Sequence, residues 1–108
     1  MEIQRFRTLD EFWPYYVRQH SKRLTRQWHL IGNLNLVLWL SWAVSRRSTV
    51  LMVMGVVTSY MFAWIGHFVV ERNVPSTFQY PVLSALADMR MFVLMLQGRM
   101  DAEAEKYI

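Results

Sequence analysis

The sequence predicts an all-α, integral membrane fold: a hairpin of two long helices, flanked by short N-terminal and C-terminal helices that are interfacial or re-entrant. Three observations carry this. Two uncharged stretches, Trp28–Val44 and Thr49–Val70, are separated by only four residues. Residues 27–70 contain Arg46 and Arg47 but none of the other 18 charged side chains. The chain is 54% hydrophobic and 15% aromatic, which excludes disorder. A mean hydropathy of only +0.11 conceals the segregation of charge to the flanks. A soluble domain this small would have to expose such a middle as one large apolar patch. The length of 108 residues gives a single domain, 1–108. With no cysteine, disulfides, thiolate metal sites and cysteine nucleophiles are excluded.

The elements follow in order. Thr8 and Glu11 have capping-box spacing. Pro14 fits only a first helical turn, so a short helix is expected from about Trp13 to His20. Its aromatic and basic composition suits a segment lying on a membrane surface. Ser21 is the expected cap of the first long helix. Ser45–Ser48 makes a tight turn. The second stretch, at 22 residues, spans about 33 Å as a helix, one bilayer core. Glu71–Thr77 is polar with a proline breaker and reads as a loop. A last helix is expected over about 82–97, with Val82, Leu86, Met89, Val93 and Leu96 on one stripe. Asp88 and Arg90 argue against its spanning. The tail from Asp101 to Ile108 is polar and is expected to fray.

Arg18, Lys22, Arg23, Arg26, Arg72 and Arg90 flank the hairpin, against Arg46 and Arg47 in its turn. The positive-inside rule then puts both termini on the cytoplasmic side, in the inner membrane of a bacterium or the endoplasmic reticulum of a eukaryote. Basic residues beside membrane helices point to anionic lipid, and no nucleic-acid partner is expected.

The chemistry gathers at the same end. His29 and His67 lie at similar distances from the turn, so antiparallel helices bring them to one depth. Glu71 is four residues beyond His67 and shares its helical face. His20 precedes the hairpin at that level. Three imidazoles and a carboxylate suit iron or another divalent transition metal, and two histidines with one carboxylate are the pattern of non-haem Fe(II) oxygenases. Ionisable groups at membrane depth are costly and are functional candidates for that reason. Asn33 is one turn beyond His29. Gly55, Ser59, Ala63 and His67 recur every four residues, a stripe that permits close helix approach and is compatible with a homo-oligomer. Two other readings remain open: axial haem ligation by His29 and His67, and a non-enzymatic membrane scaffold whose histidines only satisfy hydrogen bonds.

Phe12-Trp13-Pro14-Tyr15-Tyr16, Gln19-His20-Ser21 and Arg26-Gln27-Trp28-His29-Leu30-Ile31-Gly32 resemble the first motif of the small membrane 2-hydroxy fatty acid dioxygenases. Trp64-Ile65-Gly66-His67-Phe68, with Glu71, Asn73, Pro75, Thr77, Phe78, Tyr80, Pro81, Ser84 and Asp88, resembles the second. The resemblance covers roughly residues 10 to 91. Asn33 replaces a usual threonine, Ser76 an alanine and Gln19 an acid. The resemblance implies Fe(II)- and O₂-dependent removal of the carboxyl carbon from a 2-hydroxy fatty acid (fatty acid α-oxidation). It implies His20, His29 and His67 as metal ligands and Glu71 as a further ligand or a partner of one. Asp88 or Asn73 can orient a ligand histidine, and Tyr80 can hydrogen-bond oxygen species. Asn33, Arg72 and Asn73 are the candidate substrate contacts, Arg72 by attracting the carboxylate. Glu71, Tyr80 and Asp88 are the candidate catalytic groups.

Overall fold

The computed structural model describes residues 6–108. The fold is all-helical, with no strand among the described residues. Helix α1 is Leu9–Gln19, α2 Arg23–Arg46, α3 Thr49–Ile65, α4 Pro81–Leu96 and α5 Met100–Glu105. A π-helical turn, Gly66–Glu71, continues α3, and a short 3₁₀ turn covers Ser76–Phe78.

Helix α1 starts earlier than Pro14 suggests. Thr8 caps it, its Oγ accepting from Glu11 N at 3.2 Å, while Glu11 returns to Arg7 N. Pro14 lies inside the helix. It lacks the N–H that would reach the Asp10 carbonyl, and a working cap together with a well-packed face outweighs that loss. The face is Phe12, Trp13, Tyr16 and Val17, all buried. They pack with Ala87 and Met91 of α4 and with Met100 and Ala104 of α5. The aromatic face expected on a membrane surface is therefore internal.

The tail is a second correction. Residues 100–105 form α5 rather than fraying. Trp13 Nε1 donates to Glu103 at 2.9 Å, and Arg23 and Arg26 both bond Asp101. Polar composition hid two buried apolar anchors, Met100 and Ala104.

Helices α2 and α3 pack antiparallel along their length. The turn is tighter than expected: Ser45 and Arg46 finish α2, and only Arg47 and Ser48 connect. Arg47 takes the left-handed conformation (φ 50°). Ser48 N–H returns to Ala43 O, and Ser48 Oγ caps α3 at Leu51 N. Glycine lets the helices touch. A Cβ on Gly55 would stand 2.5 Å from Trp39 Cβ, and one on Gly32 would stand 3.0 Å from Ser59 O. Between them Asn35 donates to Thr58 and Ser59 and accepts from Trp39 Nε1.

Among the described residues one helix, Thr49–Glu71, is long and apolar enough to cross a membrane, where the sequence suggested two. Helix α2 is longer, at 24 residues. Its Arg23, Arg26, Gln27, His29, Asn33 and Asn35 dilute its hydropathy. The expected α4 stripe faces outward: Val82, Met89 and Leu96 are each more than 60% exposed, while Ser84, Ala87 and Met91 face inward.

Candidate metal centre

The three histidines reach one point from three elements. His20 ends α1, His29 lies in the second turn of α2, and His67 sits in the π-helical turn. All three are buried. His20 Nε2 is 3.0 Å from His29 Nε2, which is 3.2 Å from His67 Nε2. The rings meet edge to face.

The partners of the outer nitrogens decide which atoms face the centre. His20 Nδ1 lies 2.7 Å from the Tyr16 carbonyl, which can only accept. His20 therefore carries its proton on Nδ1 and turns the Nε2 lone pair inward. His67 Nδ1 lies 2.7 Å from Asn73 Oδ1. The amide orientation is fixed because Asn73 Nδ2 donates to Gln19 O at 2.9 Å. His67 thus also presents a bare Nε2. One proton on His29 Nε2 satisfies one of these neighbours, not both. A divalent metal about 2.1 Å from each nitrogen, with cis angles near 90°, sets nitrogens roughly 3 Å apart. The donor set fits a metal ion on this ground. It does not fit a haem between His29 and His67, since axial nitrogens stand roughly 4 Å apart across the iron.

The expected carboxylate does not join the cluster. Glu71 accepts from Ser21 Oγ, from Thr25 Oγ1 and from Lys22 N. The wide π turn breaks the simple four-residue relation to His67 and directs Glu71 to the start of α2. The N-cap of α2 is Lys22 and not the expected Ser21, whose hydroxyl donates to Glu71 instead. The nearer carboxylate is Asp88, whose Oδ1 is 3.7 Å from His29 Nδ1 and accepts from Tyr16 O–H. Burial raises the Asp88 pKa to about 7, and burial together with Asp88 raises the Tyr16 hydroxyl well above its ordinary value. Burial, then His29 and His67, holds His20 well below the ordinary imidazole value, so the ring is a neutral donor at neutral pH.

The other expected site residues separate. Asn73 positions His67. Asn33 lines a cleft of about 350 Å³ that begins at His29 and Asp88. Its Nδ2 is buried and has no hydrogen-bond partner among the described residues. Arg72 is exposed, in a left-handed conformation (φ 61°) that closes the π turn. Tyr80 packs its ring 5.4 Å from those of Phe6 and Phe12. Three residues were not singled out from sequence for what they do here. Tyr16 fixes His20, and Thr25 holds Glu71. Arg26 donates to the carbonyls of His20 and Ser21 and to Asp101. The four-residue spacing of Tyr16 and His20 was the available signal for the first.

No curated protein and no solved structure matches the chain. A family profile described as 2-hydroxy-palmitic acid dioxygenase Mpo1-like matches residues 6–100. That span holds every histidine and every residue that orients one, and the chain belongs to the 2-hydroxy-palmitic acid dioxygenase Mpo1-like family.

Proposed function

We propose that the protein is a membrane-embedded, Fe(II)-dependent dioxygenase that shortens 2-hydroxy fatty acids by one carbon. The observation that carries this is the set of three buried imidazole nitrogens, 3.0 and 3.2 Å apart in sequence along the cluster, opening beside an apolar cleft. The family's printed description supports the substrate class. The reaction balances without an external reductant. A 2-hydroxy acid and O₂ give the acid one carbon shorter, CO₂ and water, and all four electrons come from the substrate. His20, His29 and His67 would hold the iron. Bound iron supplies the site for O₂ and polarises the substrate's hydroxyl and carboxylate.

The chain's own residues do the rest. The Tyr16 carbonyl and Asn73 fix the tautomers of His20 and His67, so their lone pairs stay inward. Asp88 supplies acceptor character at the His29 Nδ1 edge and sits with His29 at the polar end of the cleft. Arg26 braces the backbone that carries His20. Asn33 offers a free N–H to a substrate oxygen, and the Leu36, Val37, Ala85, Met89 and Phe92 walls take the hydrocarbon. Glu71 keeps α2 and the π turn in register. Outward-facing apolar side chains on α2, α3 and α4 sit in the bilayer, with both termini on the cytoplasmic side.

The test is turnover of 2-hydroxypalmitate to the odd-chain acid by purified protein, with and without iron. Release of one CO₂ per O₂ consumed is expected. Unaltered turnover by metal-free protein overturns the proposal.

A further inference from the structure

The cleft beside the histidines has one polar end and one open end. His29, Asp88 and the unpartnered Asn33 Nδ2 stand at the polar end. Leu36 and Val37 lie about two turns along α2 from His29, and the exposed residues of the lining include Val37 at 50%, Tyr60 at 40% and Met89 at 66%. Residues that line a cavity while remaining exposed mark its mouth. These exposed residues come from α2, α3 and α4, so the mouth lies among the three helices. The exposed residues at the mouth, Val37, Tyr60 and Met89, are apolar or aromatic, and Leu86 and Val93 extend the exposed apolar surface of α4.

An occupant must satisfy both ends. The buried donor on Asn33 requires an acceptor oxygen, because a desolvated amide N–H without a partner is costly. Beyond it the walls are apolar and suit a hydrocarbon chain. From His29 to Val37 is eight residues of helix, about 12 Å, which takes on the order of ten carbons of an extended chain.

We propose that the cleft is an open-ended acyl channel, loaded sideways from the bilayer, that holds the first ten or so carbons of a single-chain acid and leaves the remainder in lipid. The headgroup assignment rests on the dioxygenase reading; the route and the open end rest on the cleft itself. A channel of this form measures a minimum length and sets no maximum. Carbons beyond the mouth exchange one apolar surrounding for another, so they add little to binding.

Two measurements on the full chain in lipid nanodiscs test this. The first is a 2-hydroxy acid series from 6 to 20 carbons, compared at equal membrane concentration. Turnover should climb until about 10–12 carbons fill the channel and then stay within twofold. A loss of tenfold or more for two carbons added anywhere above that length indicates a closed pocket and overturns the proposal. The second is photolabelling with palmitic acid carrying a diazirine near mid-chain, mapped by mass spectrometry. Labels should concentrate on Leu36, Val37, Met89 and Phe92. Labels spread over the outer face of α3, with none at these positions, overturn the channel. Labelling needs no catalysis. Cleft labels with no turnover at any length would refute the dioxygenase reading and leave the channel standing.

Discussion

Replacing Asn73 separates metal holding from folding. Its side chain does two things: Oδ1 accepts from His67 Nδ1–H at 2.7 Å, and Nδ2 donates to Gln19 O at 2.9 Å. Asn73→Leu removes both bonds. Each is worth about 0.5–1.5 kcal/mol net, so a loss of roughly 1–3 kcal/mol in stability is expected. Metal affinity should fall further than stability alone implies. Without its acceptor the His67 ring is free to rotate or to move its proton to Nε2, the atom that faces the centre. Losing such a partner typically lowers metal affinity 10–100-fold. Asn73→Asp keeps the acceptor for His67 and gives up the bond to Gln19. It should recover most of the affinity while remaining less stable than the parent protein. Competitive titration of each variant with a chelator reads affinity, and thermal melting of the same samples reads stability. An Asn73→Leu protein that binds metal as tightly as the parent would refute the tautomer argument.

Other outcomes follow from the same contacts. Glu71→Gln should lower the melting temperature, because a carboxylate accepting from Ser21, Lys22 and Thr25 loses its charge; metal affinity should change only a few-fold, and loss of the metal with unchanged stability would return Glu71 to the ligand set. Gly55→Leu should separate α2 from α3, since even a Cβ there meets Trp39 at 2.5 Å; a loss of several kcal/mol or failure to fold is expected, and a neutral effect would contradict the close packing. The Asp101 carboxyl is held below its ordinary 3.8 chiefly by its hydrogen bond from Arg26, with Arg23 adding to it. A depressed pKa stabilises the fold above that ordinary value and stops doing so as pH falls through the lower one. Stability should therefore decline on the acid side, less steeply in Asp101→Asn, and identical acid limbs would rule out the α5 latch. Saturating metal at 100 times its Kd should stabilise the protein by about 2.7 kcal/mol, reversed by chelator.

The helical class, the membrane-length helix Thr49–Glu71, α4 to within a residue or two and all three histidines were legible in the sequence; of the two expected spans, only this one has the length and hydropathy among the described residues. They are carried by charge exclusion and by spacing, and both survive folding unchanged. The convergence of His29 and His67 needed only antiparallel helices of matched length. The misses have physical causes. Pro14 was read by local rule, but α1 gains its stability from four buried side chains that the rule does not count. The α5 tail looked solvated because Met100 and Ala104 are its only buried apolar anchors and its polar partners lie far away in sequence, on Trp13, Arg23 and Arg26. Glu71 was placed by α-helical periodicity, and a π turn has a different period. Tyr80 and Arg72 could be assigned roles only by resemblance, and the fold puts one in the aromatic cluster and the other at an exposed turn. Asp88 showed the reverse: its charge argued against spanning, and the same charge sits beside His29.

The central claim is that His20, His29 and His67 together hold one catalytic iron. The most direct measurement is elemental analysis of the purified protein after iron loading, set beside the single variants His20→Ala, His29→Ala and His67→Ala. The account predicts a single iron per chain in the parent, with both iron and conversion of 2-hydroxypalmitate lost in each variant that still folds. Stoichiometric iron in a folded variant lacking one of these histidines, or full conversion without iron, would contradict it.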